Sequence, residues 1–384
     1  MQRSTWLTWS LILAGLALSL VLHLNVSGSS VTIAPDDWRP TLDVHLHERP
    51  FYMRPLQSYS TLALAGVTGL TPHDAFFVIQ YALMGLTGYL FFRLLLMLGF
   101  RRPWGHAGLV FFLLSLPVLA AFFAPIHSWD DFWLYLFLIA QSIALLKHRW
   151  PWVGGLFFLS CLAHETAVFF FPVLVYMAWR DRKRMRSVLP AVYIATPLIL
   201  FFSYMAMIPD TYHTDPFGLL AYNFANAETA ADSIVSLINA FGWCLPAALV
   251  GWLFLYKRLR INEEAYLFAG FLLYWPINTG ASTAMAMVRE TRLLFPPFLF
   301  VIPLALYPVR QAWQSILSRL GWQRLMALSL LVLGLGACGI WLGYELHPTF
   351  AYGSSSVLRR DYAGLSVGLT AAFLAVQFVS RRKS

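Results

Sequence analysis

Charge is scarce in this sequence. Asp, Glu, Lys and Arg make up only 12% of its 384 residues, against 59% apolar. An ordinary soluble domain is about one quarter charged, so the composition excludes a soluble domain of any size. Alternation of apolar and polar residues is also missing; the apolar runs are continuous, which favours helices over the strands of a barrel. Cysteine is nearly absent. Cys161, Cys244 and Cys338 lie in or beside apolar runs, without metal spacing and in odd number. They imply no disulfide framework and read as small buried hydrophobes. No repeat at a fixed period and no low-complexity linker occurs, so residues 1–384 are expected to form a single integral membrane domain.

What is present is apolar length. Runs of roughly 20 residues recur from end to end, long enough for a helix to cross the hydrocarbon core. The expected fold is all-α, a polytopic bundle of about 12 spans. The spans are placed at roughly 6–24, 75–98, 105–123, 130–147, 151–163, 166–180, 187–208, 233–256, 264–281, 291–308, 324–344 and 363–380. The fifth is short enough to be half-inserted. The first reads as an uncleaved anchor, because "HLNVSGSS" after it lacks a small-x-small cleavage site. "SYSTLALAGVTGL" (58–70) is too broken by Ser, Thr and Gly for a span and reads as an interfacial or re-entrant helix.

The net charge of +9 has the sign that nucleic acid attracts, but its distribution points to a membrane. Arg101-Arg102, Lys147/Arg149, Arg180 to Arg186, Lys257/Arg258/Arg260, Arg310 to Arg324 and the tail "RRKS" follow alternate spans, on the same side as Arg3. That is the positive-inside pattern, with both termini cytoplasmic. All acids except Asp181, Glu263 and Glu264 then lie on the far side. Acids contribute little to topology, so their gathering there needs another reason. The outer loops, much the longest being about 25–74, are where the chemistry is expected.

That first outer loop holds "VTIAPDDWRPTLDVHLHERPFYMRPL" (31–56), the densest ionic stretch of the chain. Asp36 and Asp37 suit glycosyl transfer: one takes a proton from an acceptor hydroxyl, while the other holds the sugar or a divalent cation such as Mg or Mn. The bland alternative is a solvated capping pair. Asp43 is a back-up base. His45 and His47 share a face only if the segment is extended, and a third local ligand is missing, so no metal site is assigned to them. Arg49, Arg54, Arg289 and Arg292 are among the few outward cations. They suit either a lipid-linked phosphate, which arginine binds bidentately, or snorkelling to headgroups. Glu290, between two of these arginines, favours a site. His164 and Glu165 sit between two apolar spans with almost no loop, where ionisable groups usually face a polar cavity. They are expected to orient a donor phosphate, bind a cation or structure the cavity. Asp130 and Asp131 begin a span, where acids favour a helix N-terminus. Capping and a second acidic site are both open there.

The order of these features resembles the GT-C superfamily of polytopic membrane glycosyltransferases, in a loose bacterial branch. The resemblance rests on the acidic pair after a single N-terminal span, "RPFYMRPL" (49–56), "GLTPHDAFFVIQYALMGLTGYLFFRLL", "SWDDFWLYLFLIA", "HET" running into "AVFFFPVLV", and "VRETRLLFPPFLFVIP". It covers roughly residues 5–310; the last two spans fall outside it. It implies a catalytic Asp in the first outer loop, matching Asp36 or Asp37. It also implies a polyprenyl-phosphate-linked sugar donor and a glycan, lipid or protein acceptor outside the cytoplasm. The loop is shorter than the family's pattern, and no large C-terminal outer domain follows. The rival readings are an O-antigen-type polymerase or ligase, which usually carries its large loop late in the chain, and a transporter or flippase, which predicts paired broken spans.

Overall fold

The computed structural model describes residues 2–26, 42–47, 54–119, 130–185, 189–207, 216–255, 262–285, 291–317, 330, 332–339, 341 and 361–374. Among them every regular element is helical and none is a strand, as continuous apolar runs require.

Five helices open the described chain. They are α1 (Gln2–Val26), α2 (residues 42–47), α3 (Pro55–Thr68), α4 (Pro72–Met97) and α5 (Arg102–Leu113). The apolar run after Arg102 does not continue as one rod. It breaks at Ser115, whose hydroxyl donates to the Phe112 carbonyl at 2.6 Å, and resumes as α6 (Leu116–Leu119). Next come α7 (Asp131–Leu146), α8 (Trp150–Ala163), a 3-10 segment (Glu165–Phe170) and α9 (Phe171–Met185). Leu189–Met207 is α10, Pro216–Asn223 α11, Ala227–Phe241 α12 and Cys244–Leu255 α13. α12 opens on a capping box, Asn226 and Thr229 bonding each other's backbone amides, which fixes where that helix starts. Between α12 and α13 the chain bends by 59°. Gly242 sits in the bend with φ of 53°, in the region open to glycine. α14 (Asn262–Ala269) runs through a π-helical turn, Gly270–Tyr274, into α15 (Trp275–Met285); a 3-10 turn, Thr291–Leu294, then leads to α16 (Phe298–Leu317). Residues 361–374 form α17.

α13 and α16 make the most extensive helix pair, because Gly251 lets the backbone of α13 lie directly on the Leu304 carbonyl. Gly154 does the same for α8 against the Tyr193 carbonyl of α10. Small residues of this kind allow close approach where lipid supplies no hydrophobic drive between helices. The centre is aromatic. Phe91, Phe112, Tyr135, Phe295 and Phe298 are buried at 1% exposure or less, with Phe295 and Phe298 ring centroids 4.9 Å apart. Outward-facing apolar side chains are plentiful, among them Trp6, Leu13, Val78, Trp152, Ile199 and Leu253, as expected of a surface solvated by lipid.

By length and composition, Thr5–Leu22 of α1, α4 and α10 can each cross a membrane, and the bent pair Ser233–Phe241 with Cys244–Leu255 makes a fourth. α7 and α8 are apolar but shorter. Helix 55–68 matches the broken segment expected near 58–70, and it starts on Pro55, a residue preorganised for the first helical position.

Candidate functional site

Arg54 precedes a proline, so its backbone is kept out of the helical region; it lies at φ −112°, ψ 68° as the N-cap of α3. From there its side chain passes inward, leaving the residue 7% exposed. It meets Glu165 in a forked pair, Nε donating to Oε2 at 2.8 Å and Nη2 to Oε1 at 2.5 Å. Its third nitrogen, Nη1, lies 3.1 Å from Asp130 Oδ2. One guanidinium therefore ties α3 to the head of α7 and to the junction beyond α8, 111 residues along the chain.

Asp130 and Asp131 are each 1% exposed. Asp130 is the N-cap residue of α7 yet makes no capping bond, so the capping alternative does not describe its side chain. Asp131 Oδ2 accepts from Arg292 Nη1 at 3.3 Å, and Arg292 is held by the 3-10 turn before α16. His164, 1% exposed, occupies an extended break (φ −160°, ψ 129°) between α8 and the 3-10 segment. Its Nδ1 lies 2.9 Å from Thr166 Oγ1 and accepts from the Thr166 amide. One ligand atom each from Asp130, Asp131 and His164 falls within 4.8 Å of the others. Gln57, fully buried on α3, accepts from Trp133 Nε1 at 2.9 Å and donates to Thr61. That polar ladder fixes α3 against α7 beside the acids.

α2 adds His45, 7% exposed. Because residues 42–47 are helical, His45 and His47 diverge rather than share a face. His47 instead pairs with Asp43 at 3.1 Å, and the Asp43 side chain is 76% exposed. Asp43 thus stands outside the cluster, although the sequence suggested it for the cavity. Among the other expected site residues, Arg54, Asp131, His164, Glu165 and Arg292 are brought together. Asp36, Asp37, Arg49, Arg289 and Glu290 lie outside the described residues. Arg54, expected on a donor phosphate, is engaged by two carboxylates.

The cluster's electrostatics follow from burial and pairing. Burial opposes the charge on Arg54, but Asp130 and Glu165 outweigh it and raise its pKa above the ordinary arginine value. Burial likewise works to raise Glu165, yet Arg54 holds it down at about 2. For His45, burial dominates; with Arg54 and Arg292 adding to it against Asp130, its pKa falls from 6.5 to about 3. Folded His45 therefore refuses a proton that the unfolded chain accepts below pH 6.5, so stability drains as pH falls from 6.5 towards 3. Glu165 contributes stability that is complete above its unfolded value of 4.5 and lost as pH falls towards 2. Thermal midpoints in detergent are expected to fall in two stages on acidification, and His45→Gln should remove part of the upper stage while leaving the lower one. A midpoint that is level from pH 7 to pH 4 would contradict this reading of His45.

The opposite end of α7 carries a separate buried group. Asp181, 2% exposed, accepts from Trp150 Nε1 at 3.2 Å and meets His148 Nδ1 at 2.6 Å. It fastens α9 to the α7–α8 turn.

An apolar cavity of about 470 Å³ is lined by residues of α5, α12, α16 and α17 and of the α12–α13 bend and the turn before α16, among them Phe111, Trp243, Phe295, Trp313 and Phe373. Phe295 is shared between the two regions. Its amide bonds to the Arg292 carbonyl at 3.1 Å, and its ring lies 5.6 Å from that of Tyr135, one helical turn beyond Asp131.

Comparison with protein-family models, with curated proteins and with solved structures finds no match for this chain.

Proposed function

We propose that this protein is a multi-pass membrane glycosyltransferase of GT-C-like architecture. In this reading it has about twelve spans, both termini in the cytoplasm and its site on the extracytoplasmic side of a bacterial inner membrane. It moves a sugar from a polyprenyl-phosphate-linked donor to a glycan, lipid or protein acceptor. The observation that carries the reading is the buried cluster of Arg54, Asp130, Asp131, His164, Glu165 and Arg292. Six ionisable residues from four separate segments are drawn into an otherwise apolar bundle, where such groups are costly and mark function. Structural needs alone are met more cheaply by apolar packing.

The reaction asks for three things. An acceptor oxygen attacks the anomeric carbon as the bond from that carbon to the phosphate oxygen breaks. The acceptor proton passes to a carboxylate, assigned to Asp36 or Asp37. The departing polyprenyl phosphate keeps the electron pair and needs cations nearby, for which Arg292 is the cluster's candidate, with Arg289 and Arg49 beside it in the sequence-based set. Arg54 holds Glu165 and Asp130 in place and so positions the site. The cavity from Phe295 to Trp313 supports a donor with a long apolar tail. It runs beside about 15 residues of α16, roughly 22 Å at helical rise, and begins three residues after Arg292.

Deleting the encoding gene tests the reading. The polyprenyl-linked monosaccharide should accumulate, and one envelope glycan, lipid or protein should lose one sugar type by mass spectrometry. Both should return on complementation. Unchanged lipid-linked sugars and unchanged envelope glycans would sink the proposal.

A further inference from the structure

We infer that Asp130, Asp131 and His164 form a binding site for one divalent transition cation, of the manganese or zinc type. Three side chains from two places in the sequence present one ligand atom each within 4.8 Å of one another, and each residue is 1% exposed. The second observation is Asp130 itself. It is buried in the cluster, and its Oδ1 has no hydrogen-bond partner among the described residues, although a buried carboxylate oxygen ordinarily finds one. Asp130 Oδ2 is spoken for by Arg54 at 3.1 Å, so Oδ1 is the atom left to face a cation.

The ligand chemistry narrows the ion. Two carboxylates and an imidazole combine hard oxygen with borderline nitrogen, a set that suits manganese or zinc better than calcium or magnesium. Three protein ligands leave open positions, as catalytic rather than structural sites do. Thr166 acts on the metal through His164. A metal on Nε2 puts the ring proton on Nδ1, which then donates to Thr166 Oγ1, 2.9 Å away, and gives up the 3.3 Å contact from the Thr166 amide; outer partners commonly fix a ligating histidine in this way. The positive end of α7 opposes a cation, so the carboxylates must outweigh that field. The cluster's arginines do not duplicate the ion: Arg54 is engaged by Glu165 and Asp130, and Arg292 donates to Asp131 Oδ2. An ion here would present its open positions to an anionic oxygen, such as one on a phosphate.

The site rests on three side chains alone, and its test uses no sugar donor, so it stands or falls separately from the transfer reaction. The full chain in detergent is stripped with chelator and titrated with manganous chloride, free ion being followed by electron paramagnetic resonance. One equivalent should bind, and the bound signal should show hyperfine coupling to a histidine nitrogen. His164→Ala and Asp130→Asn should each weaken binding at least about 10-fold, while Asp181→Asn, at the other end of α7, should not. The nitrogen coupling is read in the wild-type protein, so the test survives a variant that fails to fold. Absence of a tight equivalent, a bound ion without nitrogen coupling, or equal binding in all three variants would overturn the site.

Discussion

Arg54→Ala is expected to destabilise the protein by about 3 kcal/mol, enough to lower the thermal midpoint in detergent by several degrees and to cut the yield of folded protein. Removing one partner from a buried ion pair leaves an uncompensated charge and costs about 3–5 kcal/mol. Here two carboxylates lose their cation together. The lower end of the range applies because the Glu165 side chain is 33% exposed and water can reach it; Asp130, at 1%, has no such relief. Arg54→Lys keeps the charge but not the fork. One ammonium cannot reproduce the two bonds to Glu165 and the contact with Asp130, so its midpoint should fall between those of wild type and Arg54→Ala. Equal midpoints for all three proteins would show that the forked pair contributes nothing to the fold. Arg54→Ala combined with Glu165→Gln should recover part of the loss, because one of the stranded charges is then gone.

The second large effect belongs to the first outer loop. Asp36→Asn and Asp37→Asn are each close to isosteric, and the one at the true base should lose transfer by on the order of 10²–10⁴ without lowering protein yield. Complementation of the gene deletion reads this directly. Asp43→Asn should be mild, since its side chain is largely solvated and pairs only with His47 in the described structure. If Asp36→Asn, Asp37→Asn and the double variant all complement fully, the base lies elsewhere. Glu165 and Asp131 then become the residues to substitute.

Which features could be read from the sequence follows a physical line. Long apolar runs announce helices because only a closed backbone ladder tolerates lipid, and helices do occupy the segments expected at 6–24, 75–98 and 187–208. Interruptions are far less visible. The break at Ser115, the 59° bend at Gly242 and the π turn from Gly270 all sit inside uniformly apolar stretches, where hydropathy does not change. Gly242 and Pro246 are the signals for the bend. Whether His45 and His47 share a face depended on the segment being extended, which its sequence does not decide; residues 42–47 are helical.

The site divides the same way. Arg54, Asp131, His164, Glu165 and Arg292 stand out individually because ionisable groups are rare beside apolar spans. Their pairing does not, since Arg54 and Glu165 are 111 residues apart and Arg292 and Asp131 are 161 apart. Arg54 therefore read as a phosphate ligand when its side chain is used by carboxylates. For Asp130 the sequence left a cap and a second acidic site both open; it is buried like Asp131 and makes no capping bond. The roles of Gln57 and Trp133 had no signature in the sequence beyond a lone amide in a short apolar helix.

The central claim, that the buried acid and arginine cluster is where a lipid-linked sugar donor is held, is tested most directly by a density map of the protein with a bound polyprenyl phosphate. The account predicts the phosphate within hydrogen-bonding reach of Arg292 and beside Asp130 and Asp131, with the chain entering the cavity at Phe295. A phosphate bound at the other end of α7, near Asp181 and His148, or a chain lying wholly outside that cavity, would contradict it.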